Sequence, residues 1–218
     1  MIKMKLGVFD SGIGGESIAI ALQSNFPDAE IVLVNDRNNL PYGDKTKSQI
    51  INLTNKAIQP LLSSGCDIII LACNTATAQA IDFLRIKYPN QKFIGIEPMI
   101  KTAAELSKSH TIAVCATPST LSSERYYNLV QKFGSELQII EPDCKDWAQM
   151  IEQNEINYEI IKQTISNVCE HGVDIIVLGC THYHWIKDDI IKLANGRATI
   201  IEPSESIGRR VEELLKPS

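Results

Sequence analysis

No apolar stretch in the 218-residue sequence approaches the roughly 20 residues needed to cross a bilayer. The first apolar run, Leu6 to Phe9, reaches Asp10 and a glycine turn too soon to form the long core of a signal peptide. Basic residues are in deficit: Lys+Arg number 21 against 26 Asp+Glu, a formal net charge of -5, with no short cationic cluster. This removes the electrostatic footprint of a nucleic-acid binder, so neither nucleic acid nor membrane is an expected partner. The six cysteines include no CxxC pair, and no Cys/His cluster has zinc-site spacing, so no metal is expected. A reducing cytoplasm suits such thiols better than a disulfide framework does. The glycine-rich Asp10-Ser11-Gly12-Ile13-Gly14-Gly15 lacks the Lys-Ser/Thr ending of a phosphate-binding loop, which disfavours a nucleotide site.

What is present is the composition of an ordinary globular protein, 44% hydrophobic and 22% charged, long enough for one large domain or two small ones. Short β-branched runs recur at Lys5 to Phe9, Glu30 to Val34, Asp67 to Leu71, Lys92 to Ile96, Thr111 to Cys115, Leu137 to Ile140, Asp174 to Leu178 and Thr199 to Ile201. Most are continuous rather than alternating, as in strands covered on both faces. Helix-like segments lie between them: Glu16 to Asn25, Lys45 to Ser63, Ala76 to Tyr88, Ser119 to Phe133, Tyr158 to Cys169 and His184 to Leu193. The alternation predicts an α/β fold with parallel sheets flanked by helices.

An internal repeat divides the chain. Gly65-Cys66-Asp67-Ile68-Ile69-Ile70-Leu71-Ala72-Cys73-Asn74-Thr75 returns as Gly172-Val173-Asp174-Ile175-Ile176-Val177-Leu178-Gly179-Cys180-Thr181, one residue shorter between Cys and Thr. Glu97-Pro98 and Glu202-Pro203 each close a strand and mark crossing points. The prediction is two pseudo-symmetric α/β domains, residues 1–97 with 203–218 and residues 98–202, with an active site in the cleft between them. Ligands of open α/β sheets bind at the carboxyl ends of strands, which is where Cys73 and Cys180 fall.

Either cysteine alone reads as a small buried hydrophobe. The pair reads differently, because both thiols occupy one point of a repeated unit and both are followed by polar residues. Inverting a carbon by proton transfer needs an acid/base group on each face, and a thiol with an ordinary pKa near ~8.5 can serve as thiolate or thiol near neutrality. Cys66, Cys115, Cys144 and Cys169 have no such setting.

In order along the chain stand Val8-Phe9-Asp10-Ser11-Gly12-Ile13-Gly14-Gly15, Asp36 with Pro41-Tyr42-Gly43, Ala72-Cys73-Asn74-Thr75-Ala76, and Gly95-Ile96-Glu97-Pro98. Thr117-Pro118-Ser119-Thr120-Leu121-Ser122-Ser123 with Tyr126 and Gly179-Cys180-Thr181-His182-Tyr183 follow. Together these blocks resemble the glutamate racemases of the aspartate/glutamate racemase family over essentially the whole chain. The resemblance implies Cys73 and Cys180 as the catalytic pair, with no cofactor. It implies Asp10 and His182 as auxiliary proton handlers, and adds Asp36 and Glu152, eight residues after Cys144, as further acids. Asp10, Ser11, Pro41, Tyr42, Gly43, Asn74, Thr75, Thr120, Thr181 and His182 match substrate-binding positions. It further implies glutamate as substrate, a role supplying D-glutamate for peptidoglycan, and a homodimer.

Departures are Glu16 after the double glycine, Asn39 in place of a common Arg before Pro41, and His184-Trp185 in place of the usual Pro-Leu. An aspartate or broad-specificity racemase is an alternative. Aspartate members tend to carry His after Cys-Asn-Thr-Ala and an acid in place of His182, whereas this chain has Thr77 and His182. A weakly catalytic amino-acid-binding or regulatory protein is another alternative. A thiol-redox protein would need the two cysteines within bonding distance.

Overall fold

A computed structural model describes residues 4–216. Its chain forms two compact units, Met1–Glu97 with Pro203–Ser218 and Pro98–Glu202. In chain order the first unit runs β1 (Lys5–Asp10), α1 (Gly14–Asn25), β2 (Glu30–Asn35), a 3-10 turn (Arg37–Asn39), α2 (Lys47–Ala57), α3 (Gln59–Ser63), β3 (Ile68–Leu71), α4 (Asn74–Lys87) and β4 (Lys92–Gly95). The second runs α5 (Ile100–Leu106), β5 (Thr111–Ala116), α6 (Pro118–Leu121), α7 (Glu124–Phe133), β6 (Gln138–Ile140), α8 (Trp147–Glu152) and α9 (Tyr158–Glu170). After these come β7 (Ile175–Gly179), a 3-10 segment (Thr181–Ile186), α10 (Lys187–Ala194) and β8 (Thr199–Ile201). The last helix, α11 (Ser204–Leu215), returns to the first unit.

Each unit holds one four-stranded sheet, in the orders β2-β1-β3-β4 and β6-β5-β7-β8, and all strand pairs are parallel. In the first sheet successive residues point to opposite faces. Phe9, Ile69 and Leu71 join a core with Ile50, Leu61 and Ala80 under α2, α3 and α4. Leu6, Val8, Ile68 and Ile70 join another with Ile18, Leu22, Ile207 and Val211 under α1 and α11. Burial on both faces explains why β3 reads as an unbroken Ile68-Ile69-Ile70-Leu71. In both sheets the order reverses beside the first strand of the unit, between β1 and β3 and between β5 and β7. Those switch points are where the carboxyl ends of strands leave an open crevice.

Some expected helices divide. The run from Lys45 to Ser63 breaks at Ile58, because Pro60 at the start of α3 carries no backbone N–H and cannot continue the α2 ladder. The run from Ser119 to Phe133 breaks at Ser123, whose hydroxyl accepts from the Tyr126 N–H and starts a new helix. Asp10 and Ser11 lie before the N-cap position of α1. Its N-cap is Ile13, without a side-chain bond, and the Asp10 carboxylate instead accepts from the Gly12 N–H at 2.8 Å. Gly15 lets α1 approach there, since a Cβ at this position would meet the Asp10 Cβ at 2.6 Å. Among the described residues no helix is long and apolar enough to cross a membrane.

The Gly-x-Asp that opens each repeat copy has a structural cause. Gly65 and Gly172 follow helix ends with φ of 69° and 80°, the left-handed geometry that glycine adopts without strain. Asp67 then accepts from the Lys5 backbone N–H at 2.8 Å. Asp174 accepts from the Ser107 hydroxyl at 2.6 Å and from the Lys108 and Ser109 N–H groups at 2.6 and 2.8 Å, fixing the start of β7 to the turn before β5. Partial burial pushes the Asp174 carboxyl up, but those hydrogen bonds outweigh it and the net shift is downward. A lowered folded value contributes stability above the ordinary carboxylate pKa near ~3.9 and loses it as pH falls through the folded value. Asp174→Asn is therefore expected to lower stability by about 1 kcal/mol at pH 7 after solvent screening. In urea titrations across pH, the gap from the parent should close below pH ~3.9.

Candidate active site

In the first unit β1 delivers Asp10 and Ser11, and the adjacent β3 delivers Cys73, all three buried. The Ser11 hydroxyl lies 3.2 Å from the Cys73 sulfur. Cys73 is the N-cap of α4, its sulfur accepting from the Ala76 N–H at 3.4 Å. Thiolate charge on Cys73 would thus sit at the positive end of a 14-residue helix. The first residues of that helix, Asn74 and Thr75, are also buried. Both amide atoms of Asn74 lack a hydrogen-bond partner among the described residues, a costly state that a polar ligand would relieve.

The loop after β2 is braced by Asp36. Tyr42 donates its O–H to one carboxylate oxygen at 2.7 Å and Asn39 donates its amide to the other at 2.8 Å. Asp36, a candidate acid from the sequence, holds Tyr42 in place, with both oxygens engaged. Burial first, then Asp36 and Cys73, push the Tyr42 phenol far above its usual range, keeping it a neutral donor. Pro41 is exposed and Gly43 half-buried in the turn around Tyr42.

In the second unit β7 delivers Cys180. His182 Nδ1 lies 3.8 Å from its sulfur, and His182 Nε2 lies 2.8 Å from Glu152 Oε2. An ionised carboxylate only accepts, so Nε2 donates to Glu152 in that bond and Nδ1 is the nitrogen that faces the Cys180 sulfur. Glu152, expected only from its distance to Cys144, thereby enters the site through α8. Thr181 and Thr120 are buried, and the Thr120 hydroxyl lies 3.0 Å from that of Thr117. The Tyr183 O–H donates to the Cys144 carbonyl at 2.8 Å, and its ring packs edge-on to Trp147 at 5.3 Å. Hydrogen bonding with Cys115, followed by burial, raises the Cys144 thiol well above its usual range and keeps it protonated.

Other residues join these groups without a sequence signal. Glu141, directly after β6, accepts from the Tyr126 O–H at 2.7 Å, the counterpart of Asp36 and Tyr42 after β2. Glu202, directly after β8, reaches Lys187 and His184. The side chain of His184 is buried there, whereas His110 and His171 are exposed.

A family model described as Asp/Glu/hydantoin racemase matches residues 16–205. The chain belongs to that racemase family. Glutamate racemase of Clostridium botulinum (strain Alaska E43 / Type E3) is 34% identical over 216 residues, spanning 95% of this chain and 84% of that protein. Among solved structures, glutamate racemase from Aquifex pyrophilus is 32% identical with a TM-score of 0.79, covering 98% of this chain and 84% of that one. The enzyme from Francisella tularensis subsp. tularensis SCHU S4, in complex with D-glutamate, is 28% identical with a TM-score of 0.81, covering 99% and 81%. The family resemblance drawn from the motifs thus holds across the chain.

For this member of the racemase family, the Asn74 amide provides a direct test of whether its site is held ready for a ligand. Asn74→Ala removes two buried polar atoms whose unpaired state costs on the order of 1–3 kcal/mol. Thermal melts should find the variant at least as stable as the parent, while carboxylate ligands protect it from unfolding at least about tenfold less tightly. A melting temperature several degrees lower would show that the amide is already paired.

Proposed function

We propose that this chain is a glutamate racemase that interconverts L- and D-glutamate by moving the α-proton between Cys180 and Cys73, without a cofactor. The observation that carries the reading is the matched placement of the two thiols. Each follows the third strand of its unit, at a topological switch point, and each has a polar partner on its sulfur, Ser11 for Cys73 and His182 for Cys180. Relatives named glutamate racemase at 31–35% identity support glutamate over aspartate.

In the direction from L-glutamate, the Cys180 thiolate takes the α-proton and becomes a thiol, leaving the electron pair on the α-carbon and its carboxylate. The Cys73 thiol delivers a proton to the opposite face and becomes a thiolate. The reverse reaction exchanges the roles. His182, held by Glu152, receives the proton from Cys180 through its Nδ1 lone pair and resets the thiolate. On the other side Asp10, with Ser11 on the Cys73 sulfur, returns a proton to the Cys73 thiolate, so one proton leaves Cys180 and one reaches Cys73. Asn74, Thr75, Thr120 and Thr181 donate to the substrate carboxylates, while Tyr42, its O–H committed to Asp36, lines the site as a neutral phenol. In this reading the product feeds peptidoglycan synthesis in the cytoplasm, and the working form is a homodimer.

The test is incubation of the purified protein with each enantiomer of glutamate and aspartate in deuterated water, following optical rotation and α-deuterium. The parent should invert glutamate, place solvent deuterium on the product enantiomer and turn over aspartate poorly. Cys73→Ser and Cys180→Ser should each reduce racemisation by about 10³-fold or more, since a hydroxyl is far too weakly acidic to act as the anion. Undiminished turnover in both variants would overturn the two-thiol mechanism, preferential inversion of aspartate the substrate, and absence of any exchange the enzyme itself.

A further inference from the structure

The segment that carries Thr181 and His182 is a six-residue 3-10 helix, Thr181–Ile186. Such runs rarely exceed three or four residues, because their hydrogen bonds are poorly aligned, so this one depends on support from outside. One side is held by Tyr183, through the Cys144 carbonyl and the Trp147 ring. The other side meets Glu202, the residue directly after β8. One Glu202 oxygen pairs with Lys187 Nζ at 3.0 Å and the other lies 3.9 Å from His184 Nε2.

Three features make this more than a surface ion pair. The side chains of Glu202 and His184 are 10% and 5% exposed, and a buried carboxylate is expensive unless partners engage it. The 3-10 period of three places His184 directly beneath Thr181, so the packing of His184 against Glu202, a 3.9 Å contact rather than a hydrogen bond, also bears on the rotation of Thr181 and His182. Strand β8 pairs with β7 up to Val177 and Ile201, which fixes Glu202 to the strand that ends in Cys180. Burial, aided by Lys187 and His182 and opposed by Glu202, pushes the His184 imidazole down to about 4. It is therefore neutral at pH 7, so of these two partners Lys187 is the one that brings a charge to the carboxylate.

We propose that Glu202, through Lys187 and His184, is a positioning residue that holds the Thr181–Ile186 segment so that Thr181 and His182 stay aligned with Cys180. The inference rests on the racemase reading of Cys180 and concerns only the half of the reaction in which Cys180 moves the proton. Its test is kinetic, with α-deuterated L- and D-glutamate as substrates for the parent, Glu202→Gln, Lys187→Met and Lys187→Arg.

Misalignment should lower kcat/KM about 10- to 100-fold in Glu202→Gln and Lys187→Met. The loss must be equal in both directions because the enantiomers are equal in energy. The isotope effects should separate. With the Cys180 step slowed, proton removal from L-glutamate limits the rate more fully and its primary isotope effect rises. For D-glutamate the slow step becomes reprotonation by Cys180, and the primary effect falls towards unity. Lys187→Arg, which keeps the ion pair, should restore the parent pattern. A loss of folded protein alone changes neither isotope effect. Parent-like isotope effects in both Glu202→Gln and Lys187→Met overturn the positioning role, whatever happens to the rate or the melting temperature. A parent protein that exchanges no α-proton overturns the racemase reading, and this inference with it.

Discussion

A parallel sheet covered by helices on both faces has almost no place for a polar side chain except at its strand ends. Within β3 every residue is buried and apolar, and within β7 the same holds as far as Gly179. The first polar groups appear where the strands stop, so chemistry concentrates there for reasons of solvation. The strand order then selects which ends matter. Reversal of the connection beside β1 and beside β5 leaves a gap between helices at those points alone, and Asp10, Ser11 and Cys73 stand at one while Cys180 and its neighbours stand at the other.

The two halves share this topology but dress their thiols differently. Cys73 has the dihedrals of an N-cap and is followed by a full α-helix, so backbone N–H groups and a helix dipole face its sulfur. Cys180 is extended, with φ of -147° and ψ of 132°, and no α-helix follows it until Lys187. A short 3-10 segment offers a weaker dipole. What stands at the second thiol instead is a side-chain chain, Glu152 to His182 to Cys180. Backbone electrostatics in one half are thus replaced by a histidine and a carboxylate in the other.

Much of this arrangement was legible in the sequence, because the features that encode it are local. Strand runs, the repeat, and the position of each cysteine at a strand end follow from hydrophobic patterning and from Gly-x-Asp punctuation. The residues that proved hard to read act across distance in the chain. Glu152, indicated by the family resemblance alone, meets His182 from another helix, while Glu202 meets Lys187 across a strand and Glu141 meets Tyr126 fifteen positions away. Nothing about an isolated glutamate in the sequence distinguishes these from solvated surface acids. Asn39 is a middle case: it stands three residues after Asp36, one 3-10 turn away, but only the fold shows that it bonds the carboxylate.

The same solvation argument explains why thiols stand forward and carboxylates stand behind them. A neutral thiol is close to an apolar group in its cost of burial, so Cys73 and Cys180 can sit desolvated at 6% and 7% exposure without a dedicated set of donors. A carboxylate in the same place would need several hydrogen bonds to remain charged. The acids of this site have such bonds. Asp10 accepts from Gly12, Asp36 from Tyr42 and Asn39, and Glu152 from His182. Each is fixed by partners that also set the geometry of a neighbour, which makes the acids the rigid frame around the thiols. Asn74 stands apart from these acids, a buried amide with neither end bonded among the described residues, a deficit beside Cys73 that the polar groups of a ligand would offset.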